Sequence, residues 1–232
     1  MTLADRIIQF NNSLDMSHIK LPRGIRAMNP FKGENAKLIA RVTDEFYHKY
    51  YDDNKPRNLI LGINPGRFGA GLTGVPFSDT KRLRSDCDIK VAEVSSHEPS
   101  SVFVYEVVRA YGGVKKFYRR FFINSVCPLG FVKTSDEGRE VNFNYYDQRE
   151  LQEAVTPFIL KTLKAQLALG LSSDVVWCMG GGKNYKFLKT FNDQHKLFGK
   201  IKPLDHPRYI VQYKTKLMDQ YVEKYLESLG AE

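Results

Sequence analysis

The chain has 232 residues, of which 42% are hydrophobic, and this is enough to build one buried core of ordinary size. Lys and Arg number 35 against 26 for Asp and Glu, a surplus that favours a polyanionic partner but also serves solubility. The three cysteines form no CxxC pair and no histidines stand at metal-binding spacing, so we expect no metal and no other cofactor.

The N-terminal part of the chain is predicted to be helical. Residues 3–14 and 34–51 place apolar side chains at helical spacing, with polar residues on the opposite face. The start has no long apolar stretch of the kind found in signal peptides, and no segment has the length of a membrane span. Because the isolated cysteines also suit a reducing compartment, we expect an intracellular protein that makes no membrane contact.

Four short apolar runs predict the strands of one sheet, at residues 58–63, 121–126, 175–179 and 201–204. Helical patterns lie between and after them, at residues 100–111, 147–169, 183–193 and 216–229. Asp147 is the expected N-cap of the second of these helices, and Gly170 ends its pattern. This alternation predicts an α/β fold with three layers, α/β/α, around a central four-stranded parallel sheet.

We expect a single domain over residues 1–232, because no linker, repeat or low-complexity tract interrupts the pattern. Its helical N-terminal region extends to about residue 55, its sheet core over about 57–210, and its C-terminal helix over about 215–229.

Each predicted strand ends in an unusual motif, and in a parallel sheet these ends meet at one ligand-binding edge. The motifs are Asn64-Pro65-Gly66, Asn124-Ser125-Val126-Cys127-Pro128-Leu129, Gly180-Gly181-Gly182-Lys183 and Asp205-His206-Pro207-Arg208. Their coincidence at one edge argues for a functional cleft more strongly than any one motif.

The first motif begins a glycine-rich loop that ends at Phe77. Pro65 turns the chain away from the strand, and the glycines that follow allow the loop to pass close to a ligand. Phe77 then offers a flat apolar ring. A glycine-rich surface turn is the alternative interpretation, but a turn needs neither the Asn64 amide nor the aromatic ring.

The second motif supplies another amide. One Asn side chain matches both the N3–H donor and the O4 acceptor of uracil, whereas cytosine presents the reverse order and leaves two groups unpaired. Such a mismatch costs a few kcal/mol, roughly two orders of magnitude in selectivity. Asn124 as a turn-capping residue at a strand end is an equal alternative.

The third motif is suited to binding an anion, and the fourth is suited to stabilising a leaving group. The segment after Gly180 lacks the spacing of a nucleoside triphosphate loop, but glycines at a helix start suit a DNA phosphate. Lys183, Arg208 and Lys214 lie near it, each with a solvated surface charge as the alternative. His206 is restricted by Pro207 and is placed to donate a hydrogen bond to charge developing on a departing base.

Taken in order, Asn-Pro-Gly, Thr-Gly-Val-Pro-Phe, Cys-Pro-Leu and His-Pro resemble motifs of the uracil-DNA glycosylase superfamily. The chain is most similar to the single-strand-selective monofunctional uracil-DNA glycosylases, over about residues 57–210. The resemblance implies hydrolysis of the N-glycosidic bond of a flipped-out damaged deoxynucleotide in base excision repair. It also implies roles: Asn64 positions the water, Phe77 stacks on the base, Asn124 reads its edge and His206 stabilises the leaving base.

The same resemblance bears on the substrate. Gly66 stands where thymine-excluding members of the superfamily carry a tyrosine, which leaves room at the pyrimidine C5. We therefore expect 5-hydroxymethyluracil, and deaminated bases such as xanthine, beside uracil. A gapless match sets Ser125 rather than Asn124 under the base-reading asparagine of the family. We prefer Asn124, because other branches of the superfamily place their asparagine this far back, and keep Ser125 among the substrate contacts.

The predicted site is completed by neighbours of these residues. Substrate contacts are assigned also to Gly62, Ile63, Pro65 and Phe68, and DNA contacts to Arg67, Gly181, Gly182, Lys183, Pro207, Arg208, Tyr209 and Lys214. Arg208 or Tyr209 fills the gap left by the flipped base, since the longer His-Pro-Ser-Pro wedge of the family is missing. The expected partner is single-stranded DNA, with duplex left open, and the expected state is a monomer.

Two other functions stay open from the residues alone. A non-catalytic nucleic-acid-binding domain would need neither Asn64 nor His206, and a small-molecule nucleotide enzyme rests only on the Gly-Gly-Gly-Lys segment.

Overall fold

The computed structural model describes residues 1–135 and 137–231 of the chain. The strands in this part are β1 (Ile25–Met28), β2 (Asn58–Gly62), β3 (Phe121–Ser125), β4 (Gly130–Thr134), β5 (Glu140–Phe143), β6 (Ser172–Met179) and β7 (Lys200–Leu204). The α-helices are α1 (Leu3–Ser13), α2 (Ala36–Tyr51), α3 (Ala70–Thr73), α4 (Thr80–Ser85), α5 (Pro99–Ala110), α6 (Val114–Arg120), α7 (Arg149–Leu167), α8 (Lys183–His195), α9 (Pro207–Tyr213) and α10 (Met218–Leu229).

The central sheet has four parallel strands in the order β3-β2-β6-β7, and this confirms the predicted fold class. The four predicted strands are the strands of this sheet, although β6 begins at Ser172, three residues before the apolar run at 175. Its first residues are partly exposed, so the apolar pattern marks only the buried half of the strand. Parallel pairing brings the ends of β2 and β3 to the same edge, with Gly62 opposite Ser125.

A second, antiparallel sheet was not predicted. Its strands lie in the order β1-β4-β5, with Phe131 of β4 opposite Phe143 of β5. Strand β5 is largely exposed and carries few apolar residues, so it has none of the apolar run that marks a buried strand. This small sheet ends beside the edge of the central sheet and delivers residues 143–146 to it.

The long helices agree with the predicted ones, with one correction at the start of α7. The helix begins at Arg149 with Gln148 as N-cap, so the prediction that Asp147 caps it was wrong. The Asp147 carboxylate instead accepts a hydrogen bond from the Asn144 N–H at 2.8 Å and closes the preceding turn. An Asp side chain accepts a hydrogen bond from a backbone N–H in a turn as readily as at the start of a helix.

The core fills the space between the central sheet and the helices. On one face, Phe46 of α2 packs edge-to-face with Tyr118 of α6 at 5.1 Å between ring centroids, and Tyr51 packs against Phe122 of β3. No helix in the part of the chain that the structure describes is both long and apolar enough to span a lipid bilayer.

Candidate active site

A cleft of about 650 Å³ opens at the carboxyl ends of the four parallel strands, where the sequence predicts it. This volume is within the range of cavities that hold small organic ligands. Most of the predicted site residues line it: Ile63, Asn64, Pro65, Gly66, Phe77, Ser125, Gly181, Gly182, Lys183, His206, Arg208 and Tyr209.

The remaining predicted residues lie outside the cleft wall. Gly62, Asn124 and Pro207 are buried beneath it, and Arg67, Phe68 and Lys214 lie beyond its rim. The Arg67 guanidinium stands over the Phe68 ring at 4.9 Å from the ring centroid, and the Lys214 amine lies 6.0 Å from the centroid of Tyr209. Phe68 is half exposed. The structure therefore brings together the polar groups of the four strand ends but not every flanking residue.

Asn64 is held in one orientation by the small second sheet. Its Nδ2 donates to the Phe143 carbonyl at 3.2 Å, and its Oδ1 accepts from the Tyr145 N–H at 3.1 Å. Nδ2 also makes a long hydrogen bond of 3.5 Å to the Pro65 carbonyl, so both donors are engaged and one oxygen lone pair remains for a water or a substrate. Both partners belong to a segment far along the chain: Phe143 and Tyr145 lie 79 and 81 residues after Asn64.

The Phe77 ring packs against the backbone of β2 at Gly62. A Cβ at Gly62 would lie 2.8 Å from the Cε2 of Phe77, so only glycine at this position leaves room for the ring. Phe77 itself has a left-handed backbone, with φ of +53°, which is rare for a bulky residue and is found where the surroundings enforce it. Its ring centroid lies 6.2 Å from that of His206. The ring is thus one flat wall of the cleft, next to the histidine.

The buried Asp79 fixes the loop that carries Phe77. Its carboxylate accepts hydrogen bonds from Arg82, Glu98 and Ser101. A buried carboxylate with this many donors is expensive to move, because each oxygen would lose its partners. The unusual backbone at Phe77 is therefore braced from its C-terminal side.

Ser125, and not Asn124, reaches the cleft. Asn124 lies inside β3, and its Oδ1 accepts a hydrogen bond from the Ser125 N–H at 2.8 Å. Successive strand residues point to opposite faces, so the two side chains cannot both face the cleft. The prediction that Asn124 reads the base edge remains untested, and the geometry favours its neighbour.

His206 presents one ring nitrogen to the cleft. Its Nδ1 accepts a hydrogen bond from the Arg208 N–H at 3.2 Å and caps α9, which leaves Nε2 as the protonated nitrogen of a neutral ring. Burial, assisted by the nearby charge of Arg208, lowers the pKa of His206 to about 4. The residue is therefore an uncharged hydrogen-bond donor at neutral pH.

The loop from Gly180 to Lys183 has the geometry of an anion site without being a nucleotide loop. Gly180 has φ of +104°, and Gly182 is the N-cap of α8, which starts at Lys183. Free N–H groups at the start of a helix attract a phosphate. Below the loop, Asn184 donates to the Met179 carbonyl and accepts from the Tyr145 hydroxyl, so it joins β6 to the segment that fixes Asn64.

Helix α9 forms the opposite wall. Arg208, Tyr209, Gln212 and Tyr213 line the cleft from it. The rings of Tyr209 and Tyr213 lie 5.7 Å apart and are 41% and 65% exposed. Two exposed aromatic rings at the mouth of a cleft are suited to stacking on nucleic-acid bases.

Sequence reasoning missed several polar residues of the cleft wall. They come from the start of α5, from β5 and the turn after it, from α8, and from α9 and the turn before it: Glu98, Ser100, Asn142, Asn144, Tyr146, Asn184, Asp205, Gln212 and Tyr213. Asp205 belongs to the fourth strand-end motif and Asn184 directly follows the third, so their position in the sequence could have identified them. The others are brought in by tertiary packing and leave no local pattern.

Among residues 1–135 and 137–231, no three His, Cys, Asp or Glu side chains are grouped closely enough to hold a metal ion. The three cysteines are buried and unpaired, and burial raises the pKa of Cys127 and of Cys178 to about 12. Thiols that stay protonated in this way are poor nucleophiles and poor ligands.

Comparison with known proteins identifies the class of enzyme to which this cleft belongs. The model of the uracil DNA glycosylase superfamily matches residues 48–230, and the chain belongs to that superfamily. It is a hydrolase of N-glycosyl bonds that acts on uracil in DNA, in base excision repair.

Among solved structures, the chain is similar to wild-type SMUG2 of Pedobacter heparinus. The two are 50% identical, the alignment covers 100% of this chain and 98% of that chain, and the TM-score is 0.96. The predicted family resemblance is thereby confirmed, and the alternative of a non-catalytic domain is set aside.

Proposed function

We propose that this glycosylase cleaves its substrate in two stages, with Asn64 serving the water and His206 the leaving base. The observation that carries the proposal is the pair of fixed polar groups in one cleft: an amide held by two hydrogen bonds and a neutral histidine with only Nε2–H free. Neither is a strong base. The bond between C1′ and the base nitrogen therefore breaks before water attacks, and catalysis depends on stabilising the departing anion.

The steps follow from the positions of these groups. Phe77 stacks on the face of the flipped base, and the His206 Nε2–H donates to the oxygen on which negative charge accumulates. The free lone pair of the Asn64 Oδ1 accepts a hydrogen bond from a water and holds this water beside C1′. This water adds to C1′, its proton leaves to solvent, and the base departs as an anion that is then protonated.

We infer a wide base range from Ser125. A hydroxyl donates or accepts as its rotor turns, so it pairs with either pattern of edge groups and discriminates less than an amide. Its place in the cleft wall, with Asn124 turned away, supports acceptance of uracil, 5-hydroxymethyluracil and a deaminated purine such as xanthine. Gly66 supports the same range, because a Cβ there would meet its nearest atoms, Asn142 Nδ2 and Glu98 Oε2, at ordinary contact distances of 3.4 and 3.6 Å, which leaves room for a small substituent on the base.

We also propose single-stranded DNA as the preferred form and a monomer as the working state. The exposed rings of Tyr209 and Tyr213 suit stacking on unpaired bases, and either Arg208 or Tyr209 is placed to fill the gap in a duplex. Lys183 and the glycines before it are proposed to hold a phosphate beside the flipped nucleotide.

Single-turnover release of uracil from a single-stranded oligonucleotide, in EDTA, tests the roles of the two fixed groups. Asn64→Ala and His206→Ala should each slow the chemical step by about 100-fold or more while the DNA affinity changes little. Asn35→Ala and His195→Ala are matched controls, since both residues lie outside the cleft, and should keep the wild-type rate. Full rates for both cleft variants would overturn the assigned roles.

A further inference from the structure

A second groove adjoins the catalytic cleft at Lys183. It has a volume of about 440 Å³ and lies between α7 and α8. Tyr146 and Lys183 line both this α7–α8 groove and the cleft, so the two spaces are continuous. The other residues that define the groove here are Gln152 and Thr156 of α7 and Lys186, Phe187, Thr190 and Gln194 of α8.

One face of α8 forms the length of the groove. Lys183, Lys186, Thr190 and Gln194 are three or four residues apart, so their side chains lie on the same side of the helix. At a rise of about 1.5 Å per residue, this face extends roughly 16 Å from the cleft. Stacked nucleotides rise about 3.4 Å each along a strand, so the face is long enough for at least two of them.

The charge of the groove suits a phosphodiester strand. Lys183 and Lys186 form no ion pair with any residue that the structure describes. None of the described residues that line the groove is an Asp or a Glu. Glu153, which follows Gln152 on α7, lies outside the lining and pairs with the Arg149 guanidinium at 2.8 Å. The two lysines therefore give the groove a positive potential, which attracts phosphate groups.

Aromatic rings form the floor of the groove. The partly exposed Phe187 ring stacks on Phe191 at 5.5 Å between ring centroids and meets Tyr145 edge-to-face at 4.9 Å. The partly exposed Tyr146 ring also meets Tyr145 edge-to-face, at 4.9 Å. Rings that are packed on one side and open on the other are stacking surfaces for bases of any sequence. The floor therefore suits unpaired bases, as the lysines suit the phosphates between them.

We propose that the α7–α8 groove binds the nucleotides that flank the flipped nucleotide on one side. A base stacks on the rings of Tyr146 and Phe187, and a phosphate lies against Lys186. Continuity with the cleft favours the DNA strand itself as occupant over a separate protein partner, because the strand bound in the cleft leaves it beside Lys183. The inference rests on the proposed function in taking single-stranded DNA as the substrate, since paired bases would not be free to stack on the floor.

The test measures single-turnover uracil release at increasing enzyme concentration from single-stranded oligonucleotides. One substrate has uracil at its centre, and the others lack the nucleotides on the 5′ or on the 3′ side of the uracil. Lys186→Glu and Lys189→Glu are a matched pair, because both lysines are exposed on α8 and only Lys186 lines the groove. The maximal rate should stay at the wild-type value in both variants, since neither residue lies in the cleft.

Lys186→Glu should raise the half-saturating enzyme concentration on the central-uracil substrate by about tenfold at low salt, and Lys189→Glu by less than about twofold. Removal of the nucleotides on one side of the uracil should abolish the difference between Lys186→Glu and wild type, and removal on the other side should preserve it. Phe187→Leu keeps an apolar side chain but loses the ring face, so it should show the same dependence on one flank.

Three results would overturn the inference. They are equal effects of the two charge variants, an effect of Lys186→Glu that persists when either flank is removed, and wild-type behaviour of Lys186→Glu on every substrate. Each of them leaves the proposed function standing, because the wild-type enzyme still releases uracil. Failure of the wild-type enzyme to release uracil from the central-uracil substrate would instead overturn the proposed function.

Discussion

The pairing of Gly62 with Phe77 shows how one residue without a side chain sets the position of another. We expect Gly62→Ala to fold normally, because Gly62 lies in a strand with ordinary backbone angles and alanine lowers the entropy cost there. The added Cβ would lie 2.8 Å from the Phe77 ring and must displace it. Uracil release should slow by about tenfold or more, since the stacking surface moves within the cleft.

Single-turnover kinetics and a thermal melt together check this expectation. Gly33→Ala is the matched control, because a Cβ there would meet only the Asn29 carbonyl at an ordinary 3.5 Å, far from the cleft. An unchanged rate in Gly62→Ala would mean that the ring position is not needed for release.

His206 provides a second prediction at this scale. Its pKa of about 4 is below the ordinary histidine value of about 6.5, so the unfolded chain binds a proton between these pH values and the folded protein does not. The stability from the neutral ring is therefore complete above about pH 6.5 and is lost as the pH falls toward 4. Histidine ¹⁵N NMR should show a protonated Nε2 and no titration of His206 from pH 5.5 to 8, with His206→Gln for assignment. A midpoint near 6.5 would contradict the partly buried, capped ring.

The residues found from sequence are those whose signal is local. Asn64 and His206 each lie two residues after a strand of the central sheet and directly before a proline, so the predicted strands located both residues at the correct edge of the sheet. The sequence does not decide whether Asn124 or Ser125 faces the cleft. Successive residues of a strand point to opposite faces, so the answer depends on the exact register of β3 in the sheet. Glu98 and Asn142 had no local signal, because a loop and a weak strand carry them to the cleft through tertiary packing.

At the scale of elements, the small antiparallel sheet and the turn after it orient the Asn64 amide. The Tyr145 hydroxyl donates to Asn184 at 2.7 Å, and both residues are fully buried. We expect Tyr145→Phe to lower the free energy of unfolding by about 1–3 kcal/mol, because the Asn184 oxygen is left without its donor. Urea titration measures this. Tyr213→Phe, at a residue 65% exposed, is the control and should leave stability unchanged.

Tyr145→Phe should also slow uracil release modestly. The lost hydroxyl anchors the segment whose Tyr145 N–H donates to Asn64, so the position of Asn64 becomes less fixed. A loss of stability without any kinetic effect would mean that the strand segment holds Asn64 independently of Asn184. The central sheet was predictable because each of its strands contains a short apolar run, whereas β5 is mostly exposed and carries no such run. Long-range pairing defines such strands, and it leaves no periodic pattern in the chain.

For the whole molecule, a formal net charge of +9 gives the affinity for DNA a strong dependence on salt. Most of this charge is spread over the surface, and only a cation that contacts a phosphate releases a counterion on binding. Lys183, at the N-terminal end of α8 and in the cleft wall, is the expected phosphate contact.

We expect Lys183→Gln to reduce the slope of log Kd against log salt concentration by about 0.7, the value for one contact on single-stranded DNA. Fluorescence anisotropy with an undamaged labelled oligonucleotide measures the slope without cleavage. Lys196→Gln is the matched control, because Lys196 is exposed at the opposite end of the same helix, and it should leave the slope unchanged. Equal reductions in the two variants would indicate that general surface charge, and not a defined phosphate site at the start of α8, holds the DNA. A reduction confined to Lys183→Gln would fix the path of the backbone across the cleft, between the glycine loop and the aromatic wall of α9.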